Sequence, residues 1–230
     1  MTKRIGFSIH KNHAMAVRSR IWRRRYYDFF AHFYDRFIQL HARKDESGTR
    51  SFLVHNAALD HIEEPLGLDI CCGTGAVLLA FAAHHPQGTF IGCDFSRGML
   101  LAARRKDPAG RLSFTQGDAA RLPFVDGIFH VVSCSHALYE LKGADRVKAL
   151  HEMKRVVRKD GVVLIMEHEV PVRPLAGFMF RLRLKVMGTA DAREFVASGL
   201  KHFQQVFPSV TLHHTPSGRS RLICCRKSSS

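Results

Sequence analysis

The chain has 230 residues, 46% of them apolar and 24% charged, with 35 Lys and Arg against 20 Asp and Glu. That length suffices for one well-buried domain, and that composition excludes disordered and collagen-like chains. No apolar run approaches a membrane span, and Met1 to Arg25 is basic without an apolar core, so an unsecreted, cytoplasmic protein is expected.

The net charge of +15 favours anionic partners, among which nucleic acid, acidic lipid and an anionic small molecule all qualify. It is concentrated before Asp28, the first carboxylate, and again from Val170 to Ala190, which holds Arg173, Arg181, Arg183 and Lys185 without an acid. The six cysteines lie in apolar, strand-like runs without C-x-x-C spacing, which predicts buried thiols rather than disulfides or zinc. The pairs His84-His85 and His213-His214 are sequence neighbours that share no helix or strand face, so no metal site is expected.

In chain order, Met1 to Ser19 reads as a basic arm. Trp22, Tyr26, Phe29, Phe30, Phe33, Phe37 and Leu40 recur at helical spacing, which predicts an amphipathic helix over 21–41. A polar break at Lys44 to Thr49 precedes a second helix over 50–62. An apolar strand-like run from Leu66 ends in Asp69, a tight glycine turn through Cys71-Cys72-Gly73-Thr74-Gly75 follows, and then comes an apolar helix from Ala76 to His85 that Pro86 ends. A second strand, Thr89 to Cys93, leads to Asp94, and Ser96 is the expected N-cap of a helix from Arg97 to Lys106. Strands follow at Leu112 to Gln116 and Ile128 to Cys134, then a helix over 144–158 and a strand opened by Gly161 over 162–166. Five alternations of strand and helix call for an α/β, doubly wound, mostly parallel sheet. Pro171 to Gly188 and Ala190 to Phe207 read as helices, and Val210 to His214 with Arg221 to Arg226 as an antiparallel hairpin turned at Pro216-Ser217-Gly218. The expected organisation is a basic arm and helical cap over 1–62 and a core over 63–230, with a cap insertion near 171–188.

The loop after the first strand carries the chemistry. Glycines let a backbone approach a ligand, and a helix N-terminus behind them offers N–H groups and the positive end of its dipole. A dinucleotide fingerprint needs a third glycine, but Leu78 stands there. Asp94 ends the second strand, where a carboxylate can accept both hydroxyls of a ribose, and Gly117-Asp118-Ala119 follows the third, where a carboxylate and an N–H can read an adenine edge.

With these three turns in order, the chain resembles the class I S-adenosylmethionine-dependent methyltransferases, closely from Leu66 to Glu167 and loosely beyond. The resemblance implies a Rossmann-like seven-stranded sheet with a C-terminal hairpin, and S-adenosyl-L-methionine as cofactor. It implies that Asp69, Gly73 and Gly75 surround the methionine part, Asp94 and Phe95 the ribose, and Asp118, Ala119 and Met99 the adenine, with Ser135 facing the methyl-donor end. Cys71 stands where the family loop usually has glycine, so a crowded or shifted turn is expected there. Within the family, the helices over 21–62, the run His151 to Val157 and the Gly161 strand look most like the ubiquinone and menaquinone C-methyltransferases, and Tyr34-Asp35 resembles their tyrosine-aspartate pair over the cofactor.

Such a donor requires aligning a nucleophile, excluding water and, for a phenol or hydroquinone, removing a proton. His136 and His41 are the candidate bases, and Tyr139 is the candidate to bind or orient the acceptor. Methyl transfer to a small, hydrophobic or aromatic acceptor is the expected function, and the apolar and basic segment 171–188 suits peripheral contact with an anionic membrane. Two other readings stand beside it: an RNA or protein methyltransferase that uses its basic arms, and a silent S-adenosylmethionine-binding protein.

Overall fold

A computed structural model describes residues 24–29, 31, 46–141, 143–169 and 199–228 of the chain. The expectations for the basic arm, for Tyr34, Asp35 and His41, and for the segment 171–188 lie outside those residues. Of the first expected helix, residues 24–29 are helical.

The helix α1 spans Glu46–His55, β1 Leu66–Ile70, α2 Ala76–His84, β2 Thr89–Asp94, α3 Arg97–Arg105, β3 Leu112–Gln116 and β4 Phe129–Ser135. A 3-10 turn over Leu138–Glu140 leads to α4 Ala144–Val156, β5 Val157–His168, α5 Lys201–Gln204, β6 Ser209–His214 and β7 Ser220–Arg226. The seven strands form one sheet in the order β3-β2-β1-β4-β5-β7-β6. The pairs among β1 to β5 are parallel, whereas β7 joins β5 and β6 antiparallel.

The core has two layers because the strand pleat sends alternate side chains to opposite faces. On one face Leu68, Ile70, Val132, Cys134, Val163, Ile165 and Ile223 meet α4 through Ala149, Leu150, Met153 and Val156, with Phe203 closing the end. On the other, Val131, Leu164, Met166 and Leu222 meet Leu78, Phe81 and Ala82 of α2 and Leu53 and Val54 of α1. Because α2 lies between the sheet and α1, its sequence is apolar all round rather than amphipathic. By contrast, α3 buries Met99, Leu100 and Ala103 and turns Arg97, Arg104 and Arg105 outward.

Several boundaries differ from the sequence expectation. The helix α1 begins inside the expected polar break and ends at His55, where Ala57 and Ala58 close a turn on Val54 and His55 and Ala58 takes a φ of +52°. Strand β5 starts at Val157, directly from α4 and ahead of Gly161, because Val157 pairs with Phe129 before an irregularity returns the register at Val162. Gly161 sits inside that strand, where a Cβ would come within 2.7 Å of the His130 carbonyl. Of the helix expected over 190–207, the described part is the single turn α5 after Gly199 at φ +60°. Cys71 and Cys72 lie in the loop after β1 rather than within a strand; all six cysteines are free thiols, Cys71 and Cys224 only half-buried.

The run His151 to Val157 has a structural task. Arg155 bonds the carbonyls of Phe124 and Leu122 at 2.7 and 3.1 Å and pairs with Asp126 and Glu152, while Glu152 accepts the Leu122 N–H at 2.7 Å. These bonds hold the β3–β4 connection, and with it the turn carrying Asp118, against α4. Among the described residues no His, Cys, Asp and Glu cluster could hold a metal ion, and no helix is long and apolar enough to cross a membrane.

Candidate functional site

Three turns meet at the carboxyl ends of β1, β2 and β3, which are neighbours in the sheet. Open parallel sheets bind ligands in that place, where strand order reverses between β1 and β4. Asp69, one residue before the end of β1, is 2% exposed and accepts a 2.7 Å bond from the Ser133 hydroxyl of β4. Burial pushes its carboxyl up to about 7, against the lowering effect of Ser133.

The loop then turns sharply. Cys71 takes a φ of +53°, Gly73 +53° and Gly75 +78°. A side chain on Gly75 would stand 3.2 Å from the Ala103 Cβ, so glycine is needed there on both counts. A Cβ on Gly73 would meet nothing within 4 Å: the outer side of the loop is open space. Cys71 absorbs the missing glycine by entering the left-handed region itself, at a cost of about 1 kcal/mol, and its thiol turns to Cys134 on β4.

Asp94 ties the second turn to the first. One carboxylate oxygen accepts the Gly73 N–H at 2.9 Å and the other the Ser96 N–H at 2.8 Å. Burial raises its pKa to about 6, although those N–H donors pull it down. Ser96 caps α3 as expected, accepting from the Met99 N–H at 3.2 Å. Phe95 is half-buried and Met99 is buried at 3% exposure. In the third turn the Asp118 carboxylate accepts the Ala120 N–H at 2.9 Å, and Ala119 is buried.

Two residues that sequence reasoning missed belong to the same mouth. Asp28 accepts from the Ser96 hydroxyl at 2.7 Å and the Gly98 N–H at 2.8 Å. Gly98 permits this approach, since a Cβ there would lie 2.6 Å from the Asp28 carbonyl. Tyr27 meets Phe95 edge-on at 5.8 Å and donates to the Glu140 carboxylate. Helical residues 24–29 thus link the α3 end to the turn after β4. The signal was the first carboxylate to interrupt the basic arm.

The ends of β4 and β5 form the other half. Ser135 is half-buried, with its hydroxyl 3.1 Å from His136 Nδ1. His136 has a φ of +53°, its Nε2 lies 3.0 Å from the Ser220 hydroxyl, and its ring packs at a tilt of 33° on His168 with centroids 4.1 Å apart. Burial, helped by His168 and Arg50, lowers its pKa to about 3. Both ring nitrogens of His136, the candidate base, thus lie within hydrogen-bond distance of serine hydroxyls, and its burial favours the neutral imidazole. Tyr139 is half-buried, 6.2 Å from His168, in the 3-10 turn. Arg146 fixes that turn through the Leu138 and Tyr139 carbonyls at 3.3 and 3.2 Å.

Residues 68–161 match the family described as a methyltransferase domain. The demethylmenaquinone methyltransferases of Lactobacillus johnsonii and Deinococcus radiodurans are 39% identical over 113 residues and 38% over 117. These stretches are 47% and 50% of this chain and 46% and 48% of those proteins, so the chain spans about half the length of the curated relatives it matches. Among solved structures, a candidate S-adenosyl-L-methionine-dependent methyltransferase of Methanococcus maripaludis has a TM-score of 0.62 at 16% identity, covering 88% of this chain and 94% of that one. The YcgJ protein of Bacillus subtilis gives 0.53 at 20% identity, covering 78% and 98%. These two likenesses bear on the fold alone.

Proposed function

We propose that the chain, whose residues 68–161 match a methyltransferase domain, is a class I S-adenosylmethionine-dependent methyltransferase that transfers a methyl group from S-adenosylmethionine to a small aromatic, quinone-like acceptor. The observation that carries this reading is the meeting of the Asp69–Gly75 loop, Asp94 and the Asp118 turn on three adjacent strand ends, with open space over Gly73. The names of the curated relatives support the acceptor class.

The residues present fit the cofactor. S-adenosylmethionine brings an ammonium and a sulfonium, and two carboxyls whose pKa burial has raised gain most from a cation that keeps them ionised. Asp94 already spends one lone pair of each oxygen on the backbone and keeps others for ribose hydroxyls. Asp69, Gly73 and Gly75 would hold the methionine part, Phe95 would line the ribose, and Asp118, Ala119 and Met99 the adenine. Ser135 would face the donor end.

The sulfonium-bound methyl is electrophilic without further activation. The chain's own residues therefore have to bring the acceptor in line, exclude water and manage a proton. Residues 24–29 cover the cofactor half from the α3 side, and Tyr139 and His168 wall the acceptor half. His136 acts as a positioning group between Ser135 and Ser220.

Calorimetric titration with S-adenosylmethionine tests the donor, and label transfer to a reduced naphthoquinone tests the acceptor. Micromolar binding and labelled product are expected. Absence of cofactor binding overturns the reading; binding without product from any hydroxyaromatic overturns the acceptor class alone.

A further inference from the structure

The mechanism above leaves a proton without a receiver. At the end of β5, Glu167 is 3% exposed, and its Oε1 has no hydrogen-bond partner. Directly opposite in the antiparallel register of β7 stands Arg221, whose Nε and Nη2 are also buried and unbonded. Strand alternation puts both on the face of Val163, Ile165, Ile223 and Cys225, beneath the turn that carries Tyr139. Buried polar atoms are rarely left unmatched, and here three of them belong to one cross-strand pair.

Their chemistry specifies what fits. The Nε and Nη2 edge of a guanidinium is a fork of two donors that grips an oxygen, and a carboxylate oxygen accepts a proton. Arg146 does not fill the place, since its Nε and Nη2 go to the Leu138 and Tyr139 carbonyls, and the Tyr139 N–H goes to the Glu167 carboxylate. Tyr139 and Ser135 put the site beside the donor end assigned above.

We propose that Glu167 and Arg221 are the oxygen site for the methyl acceptor: Glu167 takes the proton of an aromatic hydroxyl and Arg221 holds the oxygen. The inference rests on the reading of an aromatic acceptor. The O–H bond breaks, its proton goes to Glu167 Oε1, and its electron pair moves into the ring. The ring carbon forms a bond to the methyl group while the carbon–sulfur bond breaks, its pair staying on sulfur. Loss of the ring proton to water restores the aromatic ring, and Glu167 returns its proton to the oxygen.

The environment suits that task. Burial pushes the Glu167 carboxyl up to about 8, close to the pH at which a base in water works best. The charged and titratable groups facing it are Arg221 from β7, Arg146 from α4 and Glu140 from the 3-10 turn, with the Cys134 thiol from β4 beside it. Arg221 and Arg146 favour the carboxylate, and Glu140 opposes it.

The test uses the full chain with S-adenosylmethionine and 1,4-naphthohydroquinone kept reduced, compared with its dimethyl ether as a competing binder and with a 2-chloro analogue whose hydroxyl ionises more readily. Glu167→Gln is expected to lower kcat about 100- to 1,000-fold and to abolish the rise of kcat/KM with pH, while leaving cofactor affinity unchanged. The chloro analogue should recover part of the loss. Arg221→Met should raise KM for the hydroquinone about 10- to 100-fold, with a much smaller effect on the inhibition constant of the dimethyl ether. If Glu167→Gln fails to fold, the less buried Arg221 carries the test. Wild-type turnover with both variants within about twofold in kcat and KM overturns the proposal and leaves the methyl-transfer reading intact, as does a water that stays between the two side chains when the acceptor is bound. Cofactor binding without methylation of any hydroxyaromatic overturns the acceptor reading and this site together.

Discussion

The cofactor half and the acceptor half of the strand ends are built differently. At β1, β2 and β3 each carboxylate has partners inside the protein: Asp69 the Ser133 hydroxyl, Asp94 the Gly73 and Ser96 N–H groups, Asp118 the Ala120 N–H. At β5 and β7, Glu167 and Arg221 leave three buried atoms unbonded. One half is preorganised around backbone geometry, and the other keeps polar capacity for a second molecule. Preorganised donors and acceptors lose little entropy on binding, whereas an unsatisfied buried pair gains its hydrogen bonds only when the right partner arrives. On the function proposed above, the first half would favour affinity for the cofactor, and the second would favour selectivity among acceptors.

The largest test of that contrast is Asp94→Ala. It removes the acceptors for both N–H groups as well as the ribose contact, so S-adenosylmethionine affinity should fall about 100-fold or more, read by calorimetry on folded protein. A core change should do the reverse. Phe203→Ala, at a fully buried ring, should cost about 3–5 kcal/mol in denaturant unfolding and leave the affinity of the surviving folded protein unchanged.

The sheet itself was legible because buried parallel strands read as apolar runs and β1, β2 and β3 end at an acid or a glycine turn. β3 needed no correction, and β1, β2 and α3 needed one residue or none. What stayed hidden came from contacts distant in sequence. Glu167 follows the apolar run of β5 and Arg221 opens β7, and only antiparallel pairing after the hairpin brings them face to face. His136 invited a catalytic reading because it follows Ser135, whereas its second hydroxyl neighbour, Ser220, lies 84 positions away. Gly161 announced a strand start that the α4–β5 junction had already passed, because backbone pairing with Phe129 is invisible in side-chain periodicity.

The pH dependence separates the halves next. Asp69 and Asp94, raised to about 7 and about 6, are neutral below those values and charged above them. Cofactor affinity should therefore weaken as pH falls from 8 to about 5.5, with protons released on binding near neutrality. The linkage to stability has the opposite sign: a raised carboxyl binds more protons folded than unfolded, so its contribution becomes less favourable as pH rises from about 4 towards 7. The difference between wild type and Asp69→Asn in urea midpoints across that window reads this contribution, and the isosteric variant should flatten the affinity profile.

The smallest expected effect is Cys71→Gly. Relief of the left-handed backbone gains about 1 kcal/mol, glycine's greater freedom in the unfolded chain takes back about 0.4–1 kcal/mol, and the lost thiol contact with Cys134 takes more. The net change should be within about 1 kcal/mol of zero. Thermal denaturation checks its size, and a cofactor affinity raised no more than a few-fold would show that cysteine is tolerated at this turn.

The most direct measurement is a crystal structure with S-adenosylhomocysteine bound. The account predicts ribose hydroxyls on the Asp94 oxygens, the amino acid portion over Gly73, and the sulfur directed past Ser135 towards the space before Glu167 and Arg221. A ligand bound elsewhere, or a loop from Asp69 to Gly75 turned away from it, would contradict the account.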